Sequence, residues 1–387
     1  MVSTRRPDKK IFLLFPGRFP SEKAASLFAA KNCESFANLG AKVTLVVPRR
    51  LKRSKENVAK YYNIDSNFEI KYVTTLDLFN FLKKIAFYIN LLIFSLTSLI
   101  FLLRNAKKTD LIYTNETLPL LFASFFFENT LLEVHDYPEN KKWFYGLLFS
   151  RTKWMLITNK WKLKKIVDDF KLPRNKIFLE RNAVETKDFD IKETKQEARD
   201  KLDFPFEGNK KIILYTGHLY DWKGVDTLAE ATRELPGNYE VIFVGGTKDD
   251  IDIFRDKYGD LKNIRIVGFR PHKEIPLWQR AADLLVLPNT AKQNISKYYT
   301  SPMKLFEYMA SLTPTLASNI LSITEIVNEN NAFIVKPDNP QALGKKIIEA
   351  VTSEELATKK AKQARIDIEE HTWEKRAERI FKNIDFN

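Results

Sequence analysis

The residues with chemical potential gather at a few turns in the second half of the chain. In Thr300–Ala317, TSPMKLFEYMASLTPTLA, the apolar residues Met303, Phe306, Met309 and Ala310 recur at helical spacing, and Glu307 interrupts them. Ser301 is the expected N-cap and Pro302 the first helical residue, where a missing N–H costs nothing. An acid near a helix start whose free N–H groups attract anions suits a ligand with both hydroxyls and phosphates, such as a nucleotide. A solvated surface glutamate is the plain alternative. The stretch YTGHLYDWKG places Gly217 and His218 after an apolar run, and Lys223 and Gly224 just before a helical one. Lysine beside a helix start, with glycine allowing close backbone approach, is what a diphosphate needs, and His218 adds a donor when protonated. The competing reading of Lys223 is an exposed, solvated lysine. Neither GxGxxG nor GxxxxGK[ST] occurs, so the standard dinucleotide fingerprint and the P-loop are unsupported. Four histidines and the single Cys33 offer no zinc-like spacing and no internal disulfide.

These turns need strands to hold them, and the chain supplies an alternation of strand and helix patterns. With 387 residues it is long enough for two domains of about 150–200 residues each. In the first half, strands are expected at Ile11–Phe15, Lys42–Val47, Phe68–Val73, Asp110–Tyr113, Leu131–Val134 and Trp154–Ile157, with a helix at Ala24–Leu39. Pro48–Lys60 reads as a basic loop or helix. Composition turns charged between Glu185 and Lys211, which marks the expected boundary, giving domains 1–190 and 191–371. A new series follows: strands at Ile212–Tyr215, Glu240–Val244, Ile264–Val267, Leu284–Leu287, Thr315–Ala317 and Ala332–Val335, separated by helices that include Pro302–Ala310 and Ser322–Glu329. Strands spaced by helices imply two α/β, doubly wound, Rossmann-like sheets. Ligands of such sheets sit at the carboxyl ends of strands, where Gly217, Gly245-Gly246, Gly268-Phe269-Arg270 and Pro288-Asn289 fall. Ala342–Ile384 is helical, with Trp373 as an anchor.

All of the net charge of +14 lies in residues 1–190, while residues 191–387 balance. That asymmetry points to an acidic partner for the first half, anionic lipid or nucleic acid, or to a merely soluble basic surface. Ile85–Leu103 has 19 residues without a charge, between Lys83-Lys84 and Arg104, Lys107 and Lys108. A single span there would part strands of one sheet, so the preferred reading is a helix partly in the core and partly pressed on a bilayer surface. A wholly buried helix is the alternative. Phe122–Phe127 and Trp143–Phe149, with Lys141-Lys142, would extend the same face. RRLKRSKENVAK lacks interleaved aromatics and carries no nucleic-acid motif.

The second half resembles the donor domain of retaining family-4 glycosyltransferases of GT-B architecture. YTGHLYDWKGVDTL, NIRIVGFRPHKEIPLWQRAADLLVLP and SPMKLFEYMASLTPTLAS fall in that family's order and spacing, and PSEKAAS, LIYTNE, EVHDYP and KIFLERNAV extend the likeness through the first half. The resemblance implies two domains facing across a cleft, with a C-terminal helix, 372–387, returning to the first. It implies that Glu307 binds ribose hydroxyls, Lys223 neutralises the diphosphate leaving group, and His218 stands where the family has an arginine. His135 corresponds to the family histidine near the donor sugar, although a satisfied strand-end histidine is an equal reading. Gly17 would let the first loop approach donor and acceptor. Gly217, Arg270, Ser301, Pro302, Met303 and Lys304 complete the expected donor-binding set. An earlier family glutamate is replaced by Tyr299. The implied activity is metal-independent, cofactor-free transfer of a sugar from a UDP- or GDP-type donor, with retention, to a glycan or lipid-linked acceptor in cell-envelope or surface polysaccharide biosynthesis. The protein would sit in the cytoplasm, peripheral on the inner face of the membrane, without nucleic acid. Another GT-B enzyme, such as a nucleotide-sugar epimerase or a phosphorylase, is the alternative.

Overall fold

The computed structural model describes residues 9–50, 57–76, 83–208 and 210–384. The chain divides into two compact units, Met1–Arg181 with Trp373–Asn387, and Asn182–Thr372. In the first unit the described residues form seven parallel strands: β1 (Lys10–Leu14), β2 (Lys42–Arg49), β3 (Glu69–Thr74), β4 (Leu111–Thr114), β5 (Asn129–Val134), β6 (Trp154–Ile157) and β7 (Ile177–Leu179). Their order, β3-β2-β1-β4-β5-β6-β7, reverses between β1 and β4. In the second unit β8 (Lys211–Thr216), β9 (Tyr239–Val244), β10 (Ile264–Gly268), β11 (Leu284–Leu287), β12 (Thr315–Ser318) and β13 (Phe333–Val335) run in the order β10-β9-β8-β11-β12-β13 and reverse between β8 and β11. Every pairing is parallel. Interior strands such as β6 and β11 are buried throughout, which is why they read as continuous apolar runs, while β5 and β9 keep buried Glu133 and Glu240 among their apolar residues.

The C-terminal helix Trp373–Asn383 packs on Ala24–Asn38, where Phe36 and Phe381 stack with centroids 5.2 Å apart. The chain joins the second unit at Asn182, before the charged stretch that suggests a boundary near 190. Val184 and Phe189 are already buried in the second core, and Val184 N–H donates to His371 O.

Several local expectations change. Pro302 is the N-cap, extended at φ −74°, and the helix begins at Met303; Ser301 does not cap it. A π-helical turn, Ile295–Tyr299, precedes it, with Tyr299 buried. Ser322–Glu329 shortens to Leu321–Thr324, and Arg174–Leu179 supplies a turn and a strand where no strand is expected. β2 runs on through Pro48 and Arg49, Val58–Tyr62 is a helix, and 51–56 of the basic stretch lie outside the described residues. Lys83–Asn105 is one helix, and it is not wholly buried.

Candidate active site

β8 and β11 flank the reversal in the second sheet, so the loops leaving their carboxyl ends diverge and open a crevice. The loop after β8 closes on its neighbour at Gly224, where a Cβ would fall 2.0 Å from Pro288 O. Gly217 turns the chain at φ +119°, and a Cβ there would lie 2.8 Å from Lys304 Nζ and 3.9 Å from Lys223 Nζ. The two side-chain nitrogens are therefore within about 6.7 Å of each other, both facing the same bare backbone.

Lys304 comes from the helix Met303–Ala310. Its Nζ is buried, 3.7 Å from the centroid of the Tyr215 ring, and has no hydrogen-bond partner among the described residues. Burial first, then repulsion from Lys223, holds its pKa far below the ordinary lysine value, with Glu307 opposing. Lys223 ends the turn Asp221–Lys223, its Nζ 5.2 Å from the centroids of both Tyr220 and Trp222. Burial lowers it to about 8 against the attraction of Asp250. Two crowded and poorly solvated amines around a glycine are a receptor for an anion. A phosphate group placed there restores their lost solvation and cancels their repulsion.

The Tyr308 hydroxyl accepts from Thr216 N–H at 2.9 Å, which ties the lysine-bearing helix to the end of β8 and sets the depth of Lys304. One turn beyond Lys304, Glu307 places Oε1 3.0 Å from His272 Nε2 on the turn His272–Glu274. A carboxylate can only accept, so that ring nitrogen carries the proton. Glu307 is 12% exposed and thus held at the crevice rather than free in solvent. His272 is a member of the site that sequence reasoning missed; FRPHKE shows it only as a loop histidine.

His218 behaves differently from expectation. Its ring stacks on Tyr220 with centroids 5.0 Å apart, and Nδ1 lies 3.2 Å from Asp250 Oδ2. Asp250 is itself fixed by the capping box it closes with Thr247. Burial first, then Lys223, pushes His218 below the ordinary imidazole range despite Asp250. Near neutral pH the ring is uncharged and commits its Nδ1 proton to Asp250. The positive charge is left to the lysines.

Arg270 is half-buried past β10, and its Nη1 donates to Phe269 O at 3.4 Å. Ser301 contributes its carbonyl, which accepts from Asn182 Nδ2. Pro302 and Met303 are partly buried at the helix start. In the first unit, Gly17 follows β1, and a Cβ there would fall 2.3 Å from the Phe15 ring, so that ring demands glycine. His135 follows β5, its Nε2 3.4 Å from Glu133 Oε1 and its ring edge-on to Phe28 at 5.0 Å. Among the described residues no three His, Cys, Asp or Glu are grouped to hold a metal ion.

Residues 195–367 match the family model described as Glycosyl transferases group 1. The amylovoran biosynthesis glycosyltransferase AmsK of Erwinia amylovora is 29% identical over 218 residues, covering 54% of this chain and 50% of that one. The chain spans about half, or less, of the length of the curated relatives it matches. Solved structures match over nearly the whole chain. Sucrose-phosphate synthase from Thermosynechococcus elongatus has a TM-score of 0.78 at 16% identity, covering 97% of this chain and 98% of that one. HepE of Anabaena, in complex with UDP and glucose, has a TM-score of 0.74 at 17% identity over the same shares. The two-sheet architecture is the GT-B fold.

Proposed function

We propose that the protein is a retaining glycosyltransferase. It takes a sugar from a nucleotide-diphosphate donor of UDP or GDP type and passes it to a glycan or lipid-linked acceptor in surface polysaccharide synthesis. The observation that carries this reading is the pair Lys223 and Lys304 around Gly217. It supports diphosphate binding, and the match to the group 1 family model and the polysaccharide role named for AmsK support the transfer and its setting. As the bond from the anomeric carbon to the phosphate oxygen breaks, negative charge grows on the diphosphate, and cations already fixed against it stabilise the transition state without reorganising. Glu307, steadied by His272, accepts from the ribose hydroxyls.

Thermal shift and calorimetry with UDP, GDP and their sugars test the reading. One of them should raise the melting temperature, and Glu307→Ala should weaken that nucleotide about 10- to 100-fold by removing charged hydrogen bonds to the ribose. If no nucleoside diphosphate shifts the melting temperature, the proposal is wrong.

Binding should also depend on pH in a stated direction. The pKa of Lys223 is lowered to about 8 in the free protein, and a bound anion raises it. The contribution of Lys223 to affinity is therefore complete below about pH 7 and declines above about pH 8, by up to about tenfold per unit, with one proton taken up at this amine on binding in that range. Titrations in two buffers of different ionisation enthalpy read the uptake directly. A flat affinity from about pH 7 to about pH 9.5 with no proton uptake would overturn the role of Lys223.

A further inference from the structure

The helix Lys83–Asn105 is built inside out. Its buried stripe is Ala86, Asn90, Phe94, Ser95, Ser98 and Leu102, three of them polar, and Asn90 has neither amide atom hydrogen-bonded among the described residues. Its outward stripe, at the same three- and four-residue spacing, is Ile85, Tyr88, Leu92, Leu96, Ile100 and Leu103, all exposed and none charged. A surface helix facing water has the opposite arrangement. By length and composition it could cross a membrane, but β1 pairs with both β2 and β4, which lie on either side of it in the chain. Strands of one sheet cannot lie on opposite sides of a bilayer, so this helix does not span.

The apolar stripe continues onto neighbouring elements. Lys141 Nζ sits 5.8 Å from the Tyr88 ring centroid at the start of Lys142–Arg151, and Arg151 sits 3.9 Å from that of Phe125. These contacts join the stripe to exposed Phe125, Phe126, Leu147 and Trp143, the last 76% exposed. Cations rim the patch: Arg104 in the last turn of the helix, Lys107 and Lys108 just beyond it, and Lys141 and Arg151 beside it, all exposed. A contiguous apolar surface of this kind marks a docking site, and its occupant must tolerate the rim. A second copy of the chain would bring the same cations face to face.

We infer that this face lies on an anionic bilayer surface, with the outward stripe of Lys83–Asn105 and the Trp143 helix in the acyl boundary and the basic rim among phosphate headgroups. This inference stands apart from the donor chemistry of the second unit, and nucleotide binding provides its control. Flotation of the full chain with vesicles of phosphatidylcholine containing about a third phosphatidylglycerol should carry the protein upward, with a blue shift of tryptophan emission. Leu96→Glu with Ile100→Glu should weaken that binding at least about tenfold, because two charges enter the boundary. Arg104→Glu with Lys108→Glu should weaken it about tenfold or more and flatten its salt dependence. Both variants replace exposed residues, so melting temperature and nucleotide binding should match the parent. The inference fails if the parent does not float, or if the variants float as well as it does. It also fails if Leu96→Glu with Ile100→Glu only turns a dimer into a monomer.

Discussion

Replacing Lys304 by methionine is expected to make the protein more stable and to cripple the reaction. The Nζ is buried without a hydrogen-bond partner among the described residues, between the Tyr215 ring and the bare backbone of Gly217. A desolvated cation over an aromatic face gains about 2 kcal/mol, whereas burying an unpaired ion costs several kcal/mol. The burial cost is the larger of the two, and Lys223 nearby adds repulsion, so the surroundings disfavour the charged form. Methionine keeps the apolar stem and removes the amine, so a gain of about 1–3 kcal/mol is expected, or a few degrees in melting temperature. The same change removes one of two cations fixed around the diphosphate, and a loss of such a group lowers kcat by about 10²–10³-fold. Lys223→Ala should lose a similar factor with less gain in stability, since the pKa of Lys223 falls only to about 8. Melting curves with and without UDP or GDP, beside single-turnover transfer, separate the two effects. A Lys304→Met protein that is less stable and still binds the nucleotide normally would remove this lysine from the site.

The family resemblance names Lys304 for the donor site, but its burial lies beyond what a sequence shows. A lysine in an amphipathic helix reads as a solvated side chain. Its burial depends on Gly217, 87 positions earlier and on another element, leaving room for the amine. The strands were legible because parallel strands covered on both faces must be continuously apolar, and Leu284–Leu287 and Trp154–Ile157 are just that. Lys223 and Glu307 were legible as candidates because glycine and proline punctuate the turns around them. The start of the Glu307 helix was not, because Ser-Pro fits two registers: the π turn before it pushes the cap from Ser301 to Pro302. In Lys83–Asn105 composition announced an apolar helix, yet the direction of its polar residues needed the packing of the neighbouring helix Thr117–Ala123. Charge state was the least legible feature. Nothing in YTGHLYDWKG tells that burial beside Lys223 will lower His218, or that its Nδ1 will be tied to Asp250, 32 residues on.

Arg376→Ala should be the most destabilising single change in the first unit. Arg376 and Glu133 are both essentially fully buried, joined at 2.7 Å, and the guanidinium also binds Asn32 Oδ1 and Arg181 O. Burial alone would raise the Glu133 carboxyl. Arg376 foremost, with His135 and Tyr113, overrides burial and holds it well below the usual carboxylate range. A buried pair of this kind adds little net stability, but breaking it leaves a carboxylate in the core without its cation, at about 3–5 kcal/mol. For a unit of this size that is roughly 6–20 °C in melting temperature. The sign with pH follows. In the parent, Glu133 is depressed, so its contribution is present above the unfolded carboxylate range and is lost as pH falls through the folded value. In the variant burial raises the same group, so acid relieves it, and the deficit should shrink between about pH 7.5 and about pH 5. Arg376→Met with Glu133→Gln removes both charges and should recover more than half of the loss, which separates an orphaned charge from lost packing of the Trp373–Asn383 helix. A deficit that stays constant with pH and is not recovered in the double variant would assign the effect to packing alone.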